Sequence, residues 1–192
     1  MALELNTIKT FSSVSDHTAR VAELSVAIAN NLDLPKSLVD DIYVAAMLKD
    51  IGLPKIDSNL SSAEFANQIE NETQRGYEKL IEAHFSQAIA QMVQQHHEHI
   101  DGSGLMGLSG NAIDLGARII TVADKIESLT SPIGEHMETT HEPVELGLVL
   151  KLIQSKSGSQ FDPRVVQSVM NLFNNGFAFS PVQPSTETEM AA

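Results

Sequence analysis

Apolar residues recur along this chain at helical spacing and almost nowhere at the alternating spacing of a strand. Val21, Leu24, Ile28 and Leu32 fall three and four residues apart, which predicts one apolar stripe of a helix over 15–32. Ser15 or Asp16 offers a cap at its start. Pro35 suits the first turn of a second helix, with Val39, Ile42, Ala46 and Leu48 behind it and Gly52 and Pro54 as its stop. Residues 55–61 read as loop, and the same periodicity predicts helices over about 62–72, 74–82, 85–97, 113–130, 143–156 and 163–175. The stretch EHIDGSGLMGLSGN at 98–111 carries four glycines and reads as an irregular loop. The pattern is that of an all-α domain over 1–179, followed by a tail over 180–192 with no apolar periodicity, expected to fray.

Several polar residues break the apolar stripes. Asp124 in ARIITVADKIESL follows Ala117 and Ile120 at helical steps, so it points toward the core, where an unpaired carboxylate is costly. Phe85, Ile89 and Met92 lead to His96 in the same way, and His97 comes next. His17 shares a face with Val21 and Leu24, and Asp50 closes the apolar turn AAMLKD. A single inward histidine is explained by a bond to a backbone carbonyl. Imidazole and carboxylate from several helices are also what a metal centre in a helical bundle uses. Spacing leaves both readings open.

Composition narrows the chemistry. The chain has 192 residues, long enough to bury a core without a staple, and no cysteine, so histidine and carboxylate are the available strong metal ligands. With 25 acidic and 12 basic side chains the net charge is −13, which opposes binding to DNA, RNA or anionic lipid. An anionic substrate would need a local positive centre, for which a metal ion is suited. No apolar run at the N-terminus suggests a signal peptide and none approaches a membrane span, so a cytoplasmic protein is expected.

The ordered set of motifs resembles the HD-GYP family of the HD phosphohydrolases. HHEHIDGSG at 96–104 is similar to that family's HHE-x-x-DGSG signature, and ARIITVAD at 117–124 to its second strong segment. HTARV at 17–21, LTS at 129–131 and FDPRVV at 161–166 also fit, so the resemblance runs from His17 to about Leu172. It implies a helical bundle of the HD-domain type and a bacterial phosphodiesterase acting on cyclic di-GMP. It also implies a centre of iron or manganese ions that activates water and neutralises phosphate. By position, His17, Asp50, His96, His97 and Asp124 match metal ligands, with Asp50 bridging metals at the catalytic centre.

The departures are specific. Lys49 replaces the histidine of the HD pair, giving KDIG, and a charged lysine cannot bind a metal. Its ammonium could instead sit against Asp50 and Asp124 in place of a cation. Leu53 replaces a lysine that helps activate substrate, with Lys55 nearby but out of register. Glu72 stands where the next histidine ligand is expected and can still bind a hard metal. Leu105 and Met106 follow Gly104 in place of the tyrosine and proline of GYP. Ser13 stands where some members have a glutamate ligand, and Pro132-Ile133-Gly134-Glu135 replaces an arginine-bearing phosphate segment.

These changes imply a degenerate domain, catalytically weak or inactive, that serves regulation or signalling, with one or two Fe or Mn ions at reduced occupancy or none. A nucleotide ligand and a protein partner reached through the 98–111 loop are both compatible with this reading. The alternative is an active, divergent metal-dependent phosphohydrolase acting on a cyclic dinucleotide or another phosphoester. Glu98 is expected to orient one of the histidines. Arg118 is expected to pair with a buried carboxylate, and Asp101 to bond its own turn. His84 is read as surface, His99 as a solvated loop residue, and a second metal site at His136 and His141 is not favoured.

Overall fold

The computed structural model describes residues 16–53, 71–132 and 142–180. The predicted helix over 62–72 except its last two residues, the 55–61 loop, Ser13, Lys55, His136, His141, the 133–135 segment and the tail from 181 on lie outside these residues. Seven α-helices are present among the described residues: α1 (Asp16–Asn31), α2 (Lys36–Leu48), α3 (Glu72–Glu82), α4 (Gln87–Gln95), α5 (Leu115–Thr130), α6 (Leu146–Ser155) and α7 (Pro163–Asn174). They contain no strand, only one bridge between Ser157 and Phe161. The predicted all-α class therefore holds, with helix ends displaced by a few residues. Pro35 caps α2 from outside rather than entering its first turn.

The stripes read from the sequence form the core. Val21, Leu24 and Ile28 of α1 meet Ile42, Ala46 and Leu48 of α2 and Ile119, Ile120 and Ala123 of α5, all buried. Each large aliphatic side chain removed from water contributes about 1.5–3 kcal/mol. Helix α5 lies centrally, packing on α1, α2, α4, α6 and α7, while α3 pairs with α4. This central place explains why α5 can deliver an acidic side chain to the interior. Its start is fixed by Asp114, whose carboxylate accepts from Gly116 N at 2.7 Å, and α7 starts on Asp162, which accepts from Arg164 N at 2.8 Å ahead of Pro163. No helix among the described residues is long and apolar enough to cross a membrane.

The turn after α2 is the feature that builds the site. Ile51 N donates to Leu48 O and Leu53 N to Asp50 O, both at 3.0 Å, so KDIGL curls tightly. Gly52 lies directly against α3: a Cβ there would come within 1.9 Å of the Glu72 carbonyl oxygen. Arg75 donates to Gly52 O at 3.0 Å and Lys79 to Ile51 O at 2.7 Å, clamping α3 onto the turn. Lys49, Asp50 and Glu72 are thereby placed on adjoining elements.

Candidate metal centre

The ligand-type residues fall into two adjoining groups. The first is a buried chain of charge. The Lys49 ammonium donates to both Asp50 carboxylate oxygens at 2.8 Å and lies 2.9 Å from Asp124 Oδ1. Asp124 Oδ1 in turn lies 3.1 Å from His17 Nε2, and His17 Nδ1 bonds the Glu127 carboxylate. Arg20 Nε reaches the other Glu127 oxygen at 3.3 Å, and its guanidinium stacks 4.5 Å from the Phe179 ring. Lys49 is only 1% exposed. A lysine this deep survives as an ion because three carboxylate oxygens lie within 2.9 Å of its nitrogen, two of them, on Asp50, accepting hydrogen bonds.

The charge states follow from these contacts. Burial alone would depress the Lys49 ammonium, but Asp124 and Asp50 more than offset it and raise it above an ordinary lysine. Burial alone would raise Asp124, yet Lys49 and the His17 bond hold it well below the usual carboxylate range. His17 is likewise disfavoured as a cation by burial, but its bonds to Asp124 and Glu127 raise it to about 9. Three carboxylates, Asp50, Asp124 and Glu127, thus face three cations, Lys49, His17 and Arg20. At formal charges, with His17 protonated, the group carries as many positive as negative side chains.

The second group is Glu72, His96 and His97, each offering one ligand atom, all within 4.8 Å of one another. His96 follows the end of α4, and His97 comes next in the turn. His96 Nδ1 donates to Val93 O at 2.7 Å, which fixes the ring and leaves Nε2 as the lone-pair nitrogen. That Nε2 is buried without a hydrogen-bond partner and lies 3.8 Å from Glu72 Oε1. His97 Nε2 lies 3.9 Å from the same oxygen, and its side chain is 24% exposed, so the group opens to solvent on this side. Burial, then the charges of His97 and Lys49, push His96 far below an ordinary histidine, keeping it neutral. Thr121 of α5 donates to the His96 carbonyl oxygen at 2.6 Å, tying the second group to the helix that carries Asp124.

The two groups differ in their fitness for a metal. Bonds of about 2.1 Å from nitrogen or oxygen place two ligand atoms at most about 4.2 Å apart. The 3.8 and 3.9 Å separations at Glu72 lie inside that span, and all three ligand atoms lie within 4.8 Å of one another, so a bound ion needs at most a small inward shift of the two imidazoles. Two imidazoles and a carboxylate also form a recognised set for divalent iron or manganese. An ion bound there would supply Lewis acidity toward a phosphoryl oxygen. Around Asp50 and Asp124 the residues do not fit an ion, because the ammonium occupies the space between their oxygens.

Other residues occupy different roles. Glu98 does not hold a histidine in place: its carboxylate accepts from Met106 N at 2.7 Å and Leu108 N at 2.8 Å, folding the signature loop around itself. Gly104 passes so close that a Cβ would lie 2.6 Å from Glu98 Cα. Leu105 and Met106 project outward, 59% and 45% exposed. Leu53 is half-buried in the turn and carries no charge to the site. Arg118 pairs with Asp162 at 2.6 Å, joining α5 to the start of α7. Asp101 accepts from Ser103 N at 2.9 Å, as the turn reading expected, and His99 Nδ1 meets Ser103 Oγ at 2.8 Å. Glu127 and Arg20 are the members the sequence reading missed. Each lies three residues beyond a residue already singled out, Asp124 and His17, so helical spacing carried the signal.

The comparisons agree with this architecture. The chain is 31% identical over 160 residues to a cyclic di-GMP phosphodiesterase response regulator, RpfG, of Xanthomonas campestris, covering 79% of this chain and 41% of that protein. It is 30% identical over 166 residues to a cyclic di-GMP phosphodiesterase of Thermotoga maritima, covering 81% and 44%. The chain therefore spans less than half the length of these curated relatives. Among solved structures, a cyclic GMP-AMP-specific phosphodiesterase of V. cholerae superposes with a TM-score of 0.67 at 22% identity, covering 90% of this chain and 48% of that one. The HD domain of a phosphodiesterase from L. monocytogenes, solved with cyclic-di-AMP, gives 0.61 at 16% identity, covering 95% and 100%. A description of the HD domain matches residues 8–165. As the HD-GYP resemblance implied, the chain belongs to the HD domain family.

Proposed function

We propose that this domain is a degenerate relative of the cyclic-dinucleotide phosphodiesterases, catalytically weak or inactive, and that it works as a regulatory module. The observation that carries the reading is the Lys49 ammonium between Asp50 and Asp124. In-line attack on a phosphodiester by a multi-metal centre needs ions on both sides of the reacting oxygens. Here one side is filled by a group that can neither accept a water ligand nor activate it. The exposed pair Leu105 and Met106 supports a role exercised through contact of the 98–111 loop with a partner protein. The test is incubation of purified protein with cyclic di-GMP and with 3′3′-cGAMP in Mn²⁺, read by chromatography. No product above the metal-only background is expected, and multiple turnovers would overturn the reading. The Glu72, His96 and His97 group favours a second reading, a slow divergent phosphohydrolase, which the same assay would reveal on a generic phosphodiester.

A further inference from the structure

We infer that this domain is a one-ion variant of its fold, holding a single divalent cation at Glu72, His96 and His97 while Lys49 serves as a tethered replacement for a second. The inference deepens the proposed function and concerns the same centre, but it rests on different observations. One is the buried His96 Nε2, which has no hydrogen-bond partner and is aimed at Glu72 from a ring locked by Val93 O at 2.7 Å. A buried ring nitrogen without a partner is costly unless something fills its lone pair. The other is the fit of Lys49, whose Nζ lies 2.8 to 2.9 Å from three carboxylate oxygens. An ion at coordinating distance from Asp50 and Asp124 would have to share that space with the ammonium.

The arrangement makes Lys49 the determinant of metal count. Replacing it by histidine removes the fixed charge and adds a neutral imidazole beside Asp50, Asp124 and His17, which together form a second ligand set. Replacing a ligand of the other group removes the native ion. His97, being partly exposed, accepts truncation more readily than the fully buried His96.

The experiment titrates metal-free protein with Mn²⁺, following free Mn²⁺ by electron paramagnetic resonance and total metal by elemental analysis after desalting. Circular dichroism confirms that each variant is folded. One Mn²⁺ per chain is expected for the wild type, none for His97→Ala and two for Lys49→His. Wild-type stoichiometry of two or more, or of zero, overturns the inference whatever the variants do. Retention of one tightly bound ion by folded His97→Ala overturns the assigned ligands. Should Lys49→His fail to fold, Lys49→Gln gives the same test by removing the charge, with an increased count expected and an unchanged count counting against the replacement role. Metal count and turnover separate the two conclusions. One ion with strong phosphodiesterase activity removes only the proposed function, and zero or two ions without activity remove only this inference.

Discussion

Replacing Lys49 by methionine keeps much of the side chain's length and volume but removes the ammonium that lies within 2.9 Å of three carboxylate oxygens. Both Lys49 and Asp124 are buried, so the variant leaves Asp124 as a buried charge without its nearest cation. Deleting one partner of a buried pair costs about 3–5 kcal/mol. Two features of this site favour the lower end. His17 Nε2 remains 3.1 Å from Asp124, and the Asp50 side chain, 21% exposed, keeps some hydration. The expected loss is about 3 kcal/mol, which in a domain of this size lowers Tm by roughly 6–12 °C. Urea unfolding at pH 7 in EDTA reads it as a lower midpoint with an unchanged slope. Adding Asp124→Asn removes the stranded charge and should recover about 1 kcal/mol or more. A loss below about 1 kcal/mol in the single variant is the value of a solvated surface pair, and it would refute the buried-ammonium account.

Three further outcomes are expected. His17 is raised from 6.5 to about 9, so its ion pairs stabilise the metal-free fold fully below pH 6.5 and are lost as pH rises through 9. The loss is about 3 kcal/mol, measured by urea midpoints at pH 6 and pH 9.5 in EDTA, and His17→Gln should flatten that decline. Glu98→Gln removes one of the two acceptors for Met106 N and Leu108 N. The unmade bond costs about 1–3 kcal/mol, seen as faster amide exchange at those two residues while the α1, α2 and α5 core amides stay protected. Gly52→Ala places a Cβ against two backbone atoms of α3, at 1.9 Å from Glu72 O and 2.6 Å from Gly76 N. Helix α3 must move to admit it, at about 3 kcal/mol or more, and a thermal melt unchanged by the substitution would count against the tight turn.

The fold was legible because its signal is repeated. Every helix of the core carries an apolar stripe, and a one-residue error at either end leaves the stripe intact, as at α5, predicted from 113 and found from Leu115. The inward direction of His17, His96 and Asp124 was legible for the same reason. The partition of these residues into two groups was not, since helical spacing fixes a residue's face and says nothing of which helix it meets. That depended on the KDIGL turn meeting α3, a contact made through Gly52 backbone and therefore carried by the absence of a side chain. Glu98 misled for a related reason: its neighbours in sequence are the histidines, whereas its carboxylate meets backbone eight and ten residues later.

Electrostatics set the two halves of the centre apart. Asp50, Asp124 and Glu127 lie against Lys49, His17 and Arg20, so the formal charges of that half balance without an added ion. The carboxylates there serve the fold whether or not a metal binds, because the buried Lys49 ammonium lies between them. The Glu72 side differs, since His96 is held neutral and directs a lone pair at the carboxylate. The chain's net charge of −13 then bears on ligands. With the Lys49 charge matched internally and Leu53 uncharged, these two positions leave no free positive group to draw an anionic phosphodiester inward. A cation held by Glu72, His96 and His97 would be the local source of that attraction, so affinity for a nucleotide should follow metal loading at this group.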